Sequence, residues 1–218
     1  MQGLPSLREH CEDTDKAGEL VKCFTLISCL TNIYYQLVEA LQYLDTMRVI
    51  HLGKYLEFQS QPVQINILDL KPNNIVFTHK DKDNLNIKII DFGLANDLAD
   101  ECDMPISTCG TPEFTSPEVI ECGYASPKSD MWSLGVIVFM LTSGGVSPFY
   151  CRNSVQLEKN IVSGQVDFNH PELKNVTEEA RNFIKCLLVV NTSLRWSASQ
   201  CLKHKYDADL YNIVYYAR

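Results

Sequence analysis

The stretch Met131-Trp132-Ser133-Leu134-Gly135-Val136-Ile137-Val138-Phe139-Met140-Leu141 does most to limit how this chain can fold. It is apolar on every side of a helix, so none of its faces can be turned to water. Its eleven residues are too few to cross a bilayer, which takes about 20, and Gly144-Gly145 follow closely. The expectation is a helix buried at the centre of a globular domain, with other elements packed around it. The 218 residues, 45% hydrophobic and 21% charged, suffice as one domain with a large core or as one large piece of a two-lobed protein.

The surrounding elements follow from periodicity. Ile33, Leu37, Ala40, Leu41 and Leu44 recur at helical spacing, which predicts an amphipathic helix from Asn32 through Leu44. Val21 to Leu30 is apolar, and helix and strand both stay open over that length; residues 1–30 carry no further pattern. Arg48 to Leu52 reads as a short strand. Asn74-Ile75-Val76-Phe77-Thr78 and Ile87-Lys88-Ile89-Ile90, joined by the polar turn HKDKDN, predict a hairpin. From Asp91 to Glu118 the chain reads as loop without a helix. Helices are expected over Lys128–Thr142, Val155–Val162, Glu178–Val190 and Ser197–Lys203, with Thr177 and Ser197 capping the last two. The fold class is α+β, predominantly α-helical, with one small β-hairpin element.

Charge and cysteine usage narrow the functions. Lys and Arg number 19 against 27 Asp and Glu, a formal net charge of −8 with no long run of either sign. Nucleic acid and membrane are not expected as partners, because binding either takes a concentrated basic face. Nine cysteines with no Cys-x-x-Cys pair read as reduced thiols rather than disulfides or zinc ligands. The polar, acidic N-terminus MQGLPSLREHCEDTDK does not read as a signal peptide, so a cytoplasmic location is expected.

The chemistry is carried by an ordered set of motifs. Asp69-Leu70-Lys71-Pro72-Asn73-Asn74 comes first, and Asp91-Phe92-Gly93 follows 22 residues after Asp69, directly behind an apolar strand. Gly110-Thr111-Pro112-Glu113-Phe114-Thr115-Ser116-Pro117-Glu118, Asp130-Met131-Trp132-Ser133-Leu134-Gly135, Ser147-Pro148-Phe149 and Arg195 come after them in that order. Taken together, and over roughly residues 31–206, the set resembles the large C-terminal lobe of eukaryotic serine/threonine protein kinases. In wording it is most similar to the calcium/calmodulin-dependent group, in its myosin light chain kinase, titin-like and death-associated branches.

That resemblance implies transfer of the ATP γ-phosphate to a Ser or Thr hydroxyl of a protein substrate, with ATP and Mg²⁺ as cofactors. Asp69 orients the hydroxyl and accepts its proton, and Lys71 stands beside the transferring phosphate. Asn74 and Asp91 offer Mg²⁺ the hard oxygen donors it prefers. Lys71 also marks serine/threonine specificity. Glu118 is expected to pair with Arg195, Asp130 to hold the catalytic loop through backbone N–H groups, and Thr111 to contact Asp69 and Lys71. The family's calmodulin regulation is expected of a longer form, since residues 207–218 make only a short tail.

Two departures accompany the resemblance. Before Asp69 the only glycines are Gly3, Gly18 and Gly53 and the only lysines Lys16, Lys22 and Lys54, so no Gly-x-Gly-x-x-Gly loop precedes the site. The expectation is a kinase lobe without its N-terminal lobe: a truncated or impaired kinase, or alternatively a kinase-derived binding module (pseudokinase) that docks partners without phosphorylating them. Secondly, His51-Leu52 matches the family's residues before the catalytic Asp, yet an insert, residues 53–68, separates it from Asp69. With a leucine there, no arginine is present to bind an activation-loop phosphate. Either the insert loops out and leaves His51-Leu52 in place, or Ile67-Leu68 takes that place; the first is expected, because a longer loop adds only a slowly growing entropy cost.

Overall fold

In a computed structural model, residues 21–46, 65–66, 70–79, 85–90, 96–97, 112–123, 125–169, 171–174, 176 and 178–204 are described. The helices are α1 (Val21–Thr46), α2 (Pro117–Cys122), α3 (Pro127–Thr142), α4 (Ser154–Ser163), α5 (Glu178–Leu187) and α6 (Ala198–His204). The strands are β1 (Ile65–Asn66), β2 (Ile75–Phe77), β3 (Ile87–Ile89) and β4 (Asn96–Asp97). Among the described residues no helix is long and apolar enough to cross a membrane. The kinase-like fold class, mostly helical with a small antiparallel hairpin, is the one observed.

Helix α3 starts where local chemistry permits it. Pro127 at the first helical position follows Ser126, whose hydroxyl accepts from Lys128 N at 3.2 Å while its own N–H donates to Ser129 Oγ at 3.0 Å. From Ser129 to Ile137 every residue is buried, and Phe139 is too. The helix has no polar face and is enclosed by α1, α5, β1 and the 3₁₀ turn Pro112–Phe114. Gly135 is where α5 comes closest. A Cβ there would meet Leu188 Cδ2 at 2.8 Å and Leu187 Cβ at 2.9 Å, the latter held by backbone. Gly135→Ala is therefore expected to lower stability by ~1–3 kcal/mol through overpacking. A urea titration checks this, as a lower midpoint at unchanged slope.

Helix α1 begins upstream of the helix read from Asn32 and takes in Val21 to Leu30, so that stretch is helical. Ile33, Tyr34, Leu37, Val38 and Leu41 form its buried stripe, which lies on α3 and α6. At α6 the fully buried Cys201 adjoins the buried side chain of Tyr34. Burial pushes the Cys201 thiol up to about 12 and raises the Tyr34 phenol as well. Cys151 and Cys186 are half-buried free thiols and Cys122 an exposed one, in keeping with the reading of the cysteines as reduced.

Three expectations are corrected. The loop read over Asp91–Glu118 contains the 3₁₀ turn Pro112–Phe114 and the start of α2. Pro117 at the first helical position and Gly123 at φ 63° in the C-cap delimit α2. The helix expected to reach Val190 ends at Leu187, because the carbonyls of Val189 and Val190 turn away to accept from Arg195. Residues 53–68 do not all leave the fold: Ile65 and Asn66 form β1, antiparallel to Asp97 and Asn96 of β4 and against α1 and α3. Two residues near the end of the insert are thus held in the fold. Arg48–Leu52, with His51, lies outside the described residues, as does Thr177.

Candidate active site

The catalytic loop is anchored from within. Leu70 is fully buried in the core, and Lys71 beside it is extended, φ −151° and ψ 161°, and half-buried. Pro72 then starts a 3₁₀ turn through Asn74, whose N–H donates to Lys71 O at 2.9 Å. Asn74 ends the turn buried and is followed at once by β2.

The hairpin register brings the second motif to the first. Ile75 pairs with Ile89, Val76 with Lys88 and Phe77 with Ile87. One step beyond the strands, Ile90 N donates to Asn74 O at 2.8 Å. In the sequence, Asp91 follows Ile90 directly. Asp69, Asp91 and Thr111 themselves lie outside the described residues. Asn74 fits the role given to it, as a buried amide whose oxygen is a hard donor of the kind Mg²⁺ takes. Among the described residues no group of three or more His, Cys, Asp or Glu could hold a metal.

Below the loop, one arginine ties the helical base together. Arg195 is fully buried, and all five of its N–H donors can be assigned. Nη1 donates to Glu118 Oε1 at 2.8 Å and Lys128 O at 2.7 Å, and Nη2 to Glu118 Oε2 at 2.8 Å and Val190 O at 3.4 Å. Nε donates to Val189 O at 2.8 Å. The guanidinium lies 5.0 Å from the ring centroid of Trp132, which in turn stacks on Phe149 at 5.3 Å. Burial alone would raise the Glu118 carboxyl, but the hydrogen bonds and charge of Arg195 outweigh it and hold the group below its usual range.

Sequence reasoning named Glu118 and Arg195 but missed the residues that brace them. Ser129 Oγ donates to Glu118 Oε1 at 2.8 Å, and Lys128 Nζ donates to Arg195 O. The signal for Ser129 was present, since Ser126 and Ser129 stand at capping-box spacing. Above them, Ser133 Oγ donates to Phe114 O at 2.8 Å, fastening the 3₁₀ turn to α3. Asp130 is buried in the first turn of α3.

The sequence pattern of the protein kinase domain matches residues 55–207. The chain belongs to that family. Its kinase relatives are of the myosin light chain kinase type. It is 34% identical over 178 residues to a probable myosin light chain kinase of Dictyostelium discoideum, covering 82% of this chain and 41% of that protein. It is 38% identical over 174 residues to myosin light chain kinase family member 4 of Mus musculus, covering 80% and 40%. To myosin light chain kinase 3 of Mus musculus it is 43% identical over 143 residues, covering 66% and 18%. The chain thus spans between 18% and 41% of the length of these relatives.

Proposed function

We propose that this chain supplies the hydroxyl-activating and metal-binding half of a site that moves the γ-phosphate of Mg·ATP to a Ser or Thr of a protein. The observation that carries the reading is the bond from Ile90 N to Asn74 O, which ties Asn74 to the residue that immediately precedes Asp91 in the sequence. In this reading Asp69 accepts the hydroxyl proton as the oxygen attacks, and Lys71 holds a transferring phosphate oxygen. Asn74 and Asp91 hold the ion. An ion held there would supply charge neutralisation for the phosphates of ATP. The relatives' names support a myosin light chain as substrate class; calmodulin control in a longer form and a cytoplasmic setting extend that reading by family resemblance.

The test is radiolabel transfer from ATP to a basic light-chain peptide, with this chain joined to a nucleotide-binding lobe. Asp69→Asn is expected to remove most of the activity while leaving the fold intact, because the amide cannot take the proton. Equal turnover by the variant would overturn the assignment, and a wild-type protein that binds partners without phosphorylating them would favour the binding-module reading.

A further inference from the structure

Strand β3 is the open edge of a two-stranded sheet. Asn86 O accepts from Thr78 N and Ile90 N donates to Asn74 O, so the even-numbered residues of this strand face β2. The N–H of Ile87 and the C=O of Leu85 therefore point the other way, where a third strand would lie in a wider sheet. Among the described residues no strand takes them up. Gln36 of α1 does: its Oε1 accepts from Ile87 N at 2.9 Å and its Nε2 donates to Leu85 O at 2.9 Å. One side-chain amide thus makes both bonds that a neighbouring strand residue would make, and Asn32 Oδ1, one turn back on α1, accepts the other proton of the same Nε2.

We propose that Gln36 is a positioning residue of the metal site, fixing the height of β3 on α1 and with it the place of Asn74 relative to the catalytic loop. The inference rests on the reading of Asn74 as a metal donor. Helix α1 is set by its packing on α3 and α6, and Ile75 and Phe77 seat β2 in the same core as Leu70, so β3, the outer strand whose apolar side chains are only half-buried, is where a polar tie to α1 adds most. Two directional hydrogen bonds to consecutive outward groups of that strand fix its height on α1 more sharply than non-directional apolar packing does. Mg²⁺ tolerates little departure from octahedral geometry, so a displaced hairpin shows first as weaker metal binding.

The experiment titrates the full 218-residue chain with Mn²⁺ in place of Mg²⁺, following the electron paramagnetic resonance signal of the free ion, beside Gln36→Met, Gln36→Glu and Asn74→Ala. Gln36→Met keeps volume and helix propensity and loses both bonds, and its affinity is expected to fall roughly 10-fold, as for other outer-shell partners of metal ligands. Gln36→Glu keeps the acceptor for Ile87 N and loses the donor to Leu85 O, so a smaller loss is expected. Amide hydrogen exchange at Ile87 should quicken in Gln36→Met and less so in Gln36→Glu. If Gln36→Met does not fold, the affinity of Gln36→Glu decides the question alone. Wild-type Mn²⁺ affinity in folded Gln36 variants, with Asn74→Ala weakened, would overturn the positioning role and leave the kinase reading standing. Wild-type affinity in Asn74→Ala would remove the metal-site reading, and the inference with it.

Discussion

Arg195→Met is expected to destabilise the folded protein by about 3–5 kcal/mol, the cost of stranding one partner of a buried ion pair. The loss is larger than a missing side chain because the acceptors stay behind. The Glu118 carboxylate loses both guanidinium bonds while keeping the Ser129 hydroxyl, and the carbonyls of Lys128, Val189 and Val190 lose the donors that Arg195 supplied. Urea unfolding at neutral pH measures it as a fall in midpoint. Acid titration adds a second readout. The Glu118 carboxyl is depressed in the folded state, so its contribution is fully present above the unfolded pKa and is lost as pH falls through the folded one. In Arg195→Met the depression disappears and burial pushes the carboxyl upward, so acidification should cost the variant less stability than the wild type. An Arg195→Met protein with unchanged midpoint and the same acid dependence would show that the pair does not hold the base together.

The unextended 218-residue chain, assayed by itself, is expected to transfer little or no phosphate to a light-chain peptide. On the proposed reading its side chains would provide the hydroxyl and metal half of the site, while its sequence contains no Gly-x-Gly-x-x-Gly loop to cover the phosphates. Phosphoryl transfer depends heavily on placement, and good orientation of reacting groups is worth roughly 7–11 kcal/mol of barrier. A nucleotide held only through a metal at Asn74 and Asp91 forgoes much of that. Joining a nucleotide-binding lobe upstream should restore turnover. Robust turnover by the chain alone, lost on Asp69→Asn, would show that its first 68 residues perform more of the chemistry than their composition implies.

Elements with strong periodicity or paired punctuation were legible in the sequence. Helix α3 announced itself by being apolar all round, and the hairpin by two β-rich runs around a polar turn. The ion pair between Glu118 and Arg195, 77 residues apart, came from motif order and stands at 2.8 Å. Short elements were not legible. Helix α2 has six residues, too few for a period to register, and only its proline and glycine marked it. The end of α5 was set by long-range demand: Arg195 needs the carbonyls of Val189 and Val190, and no local propensity at those valines encodes that. Strand β1 draws its position from β4 and the flanking helices, so the sequence favoured an insert that loops out whole and did not show that Ile65 and Asn66 are held in the fold. Gln36 escaped notice because a glutamine on a helix looks like any solvated polar residue until the edge of β3 is seen beside it.

The contrast between Cys122 and Cys201 has a practical consequence. A thiolate attacks an alkylating reagent, a protonated thiol hardly does, and both must be reached. Cys122 is open to reagent in the folded protein, whereas Cys201 is enclosed between α1 and α6 and its thiol is held at about 12. Cys201 can be consumed only when those two helices part. Timed alkylation read peptide by peptide then makes Cys201 a clock inside the lobe, with Cys122 as its control, and the rate at which the inner thiol disappears reports how often the base opens.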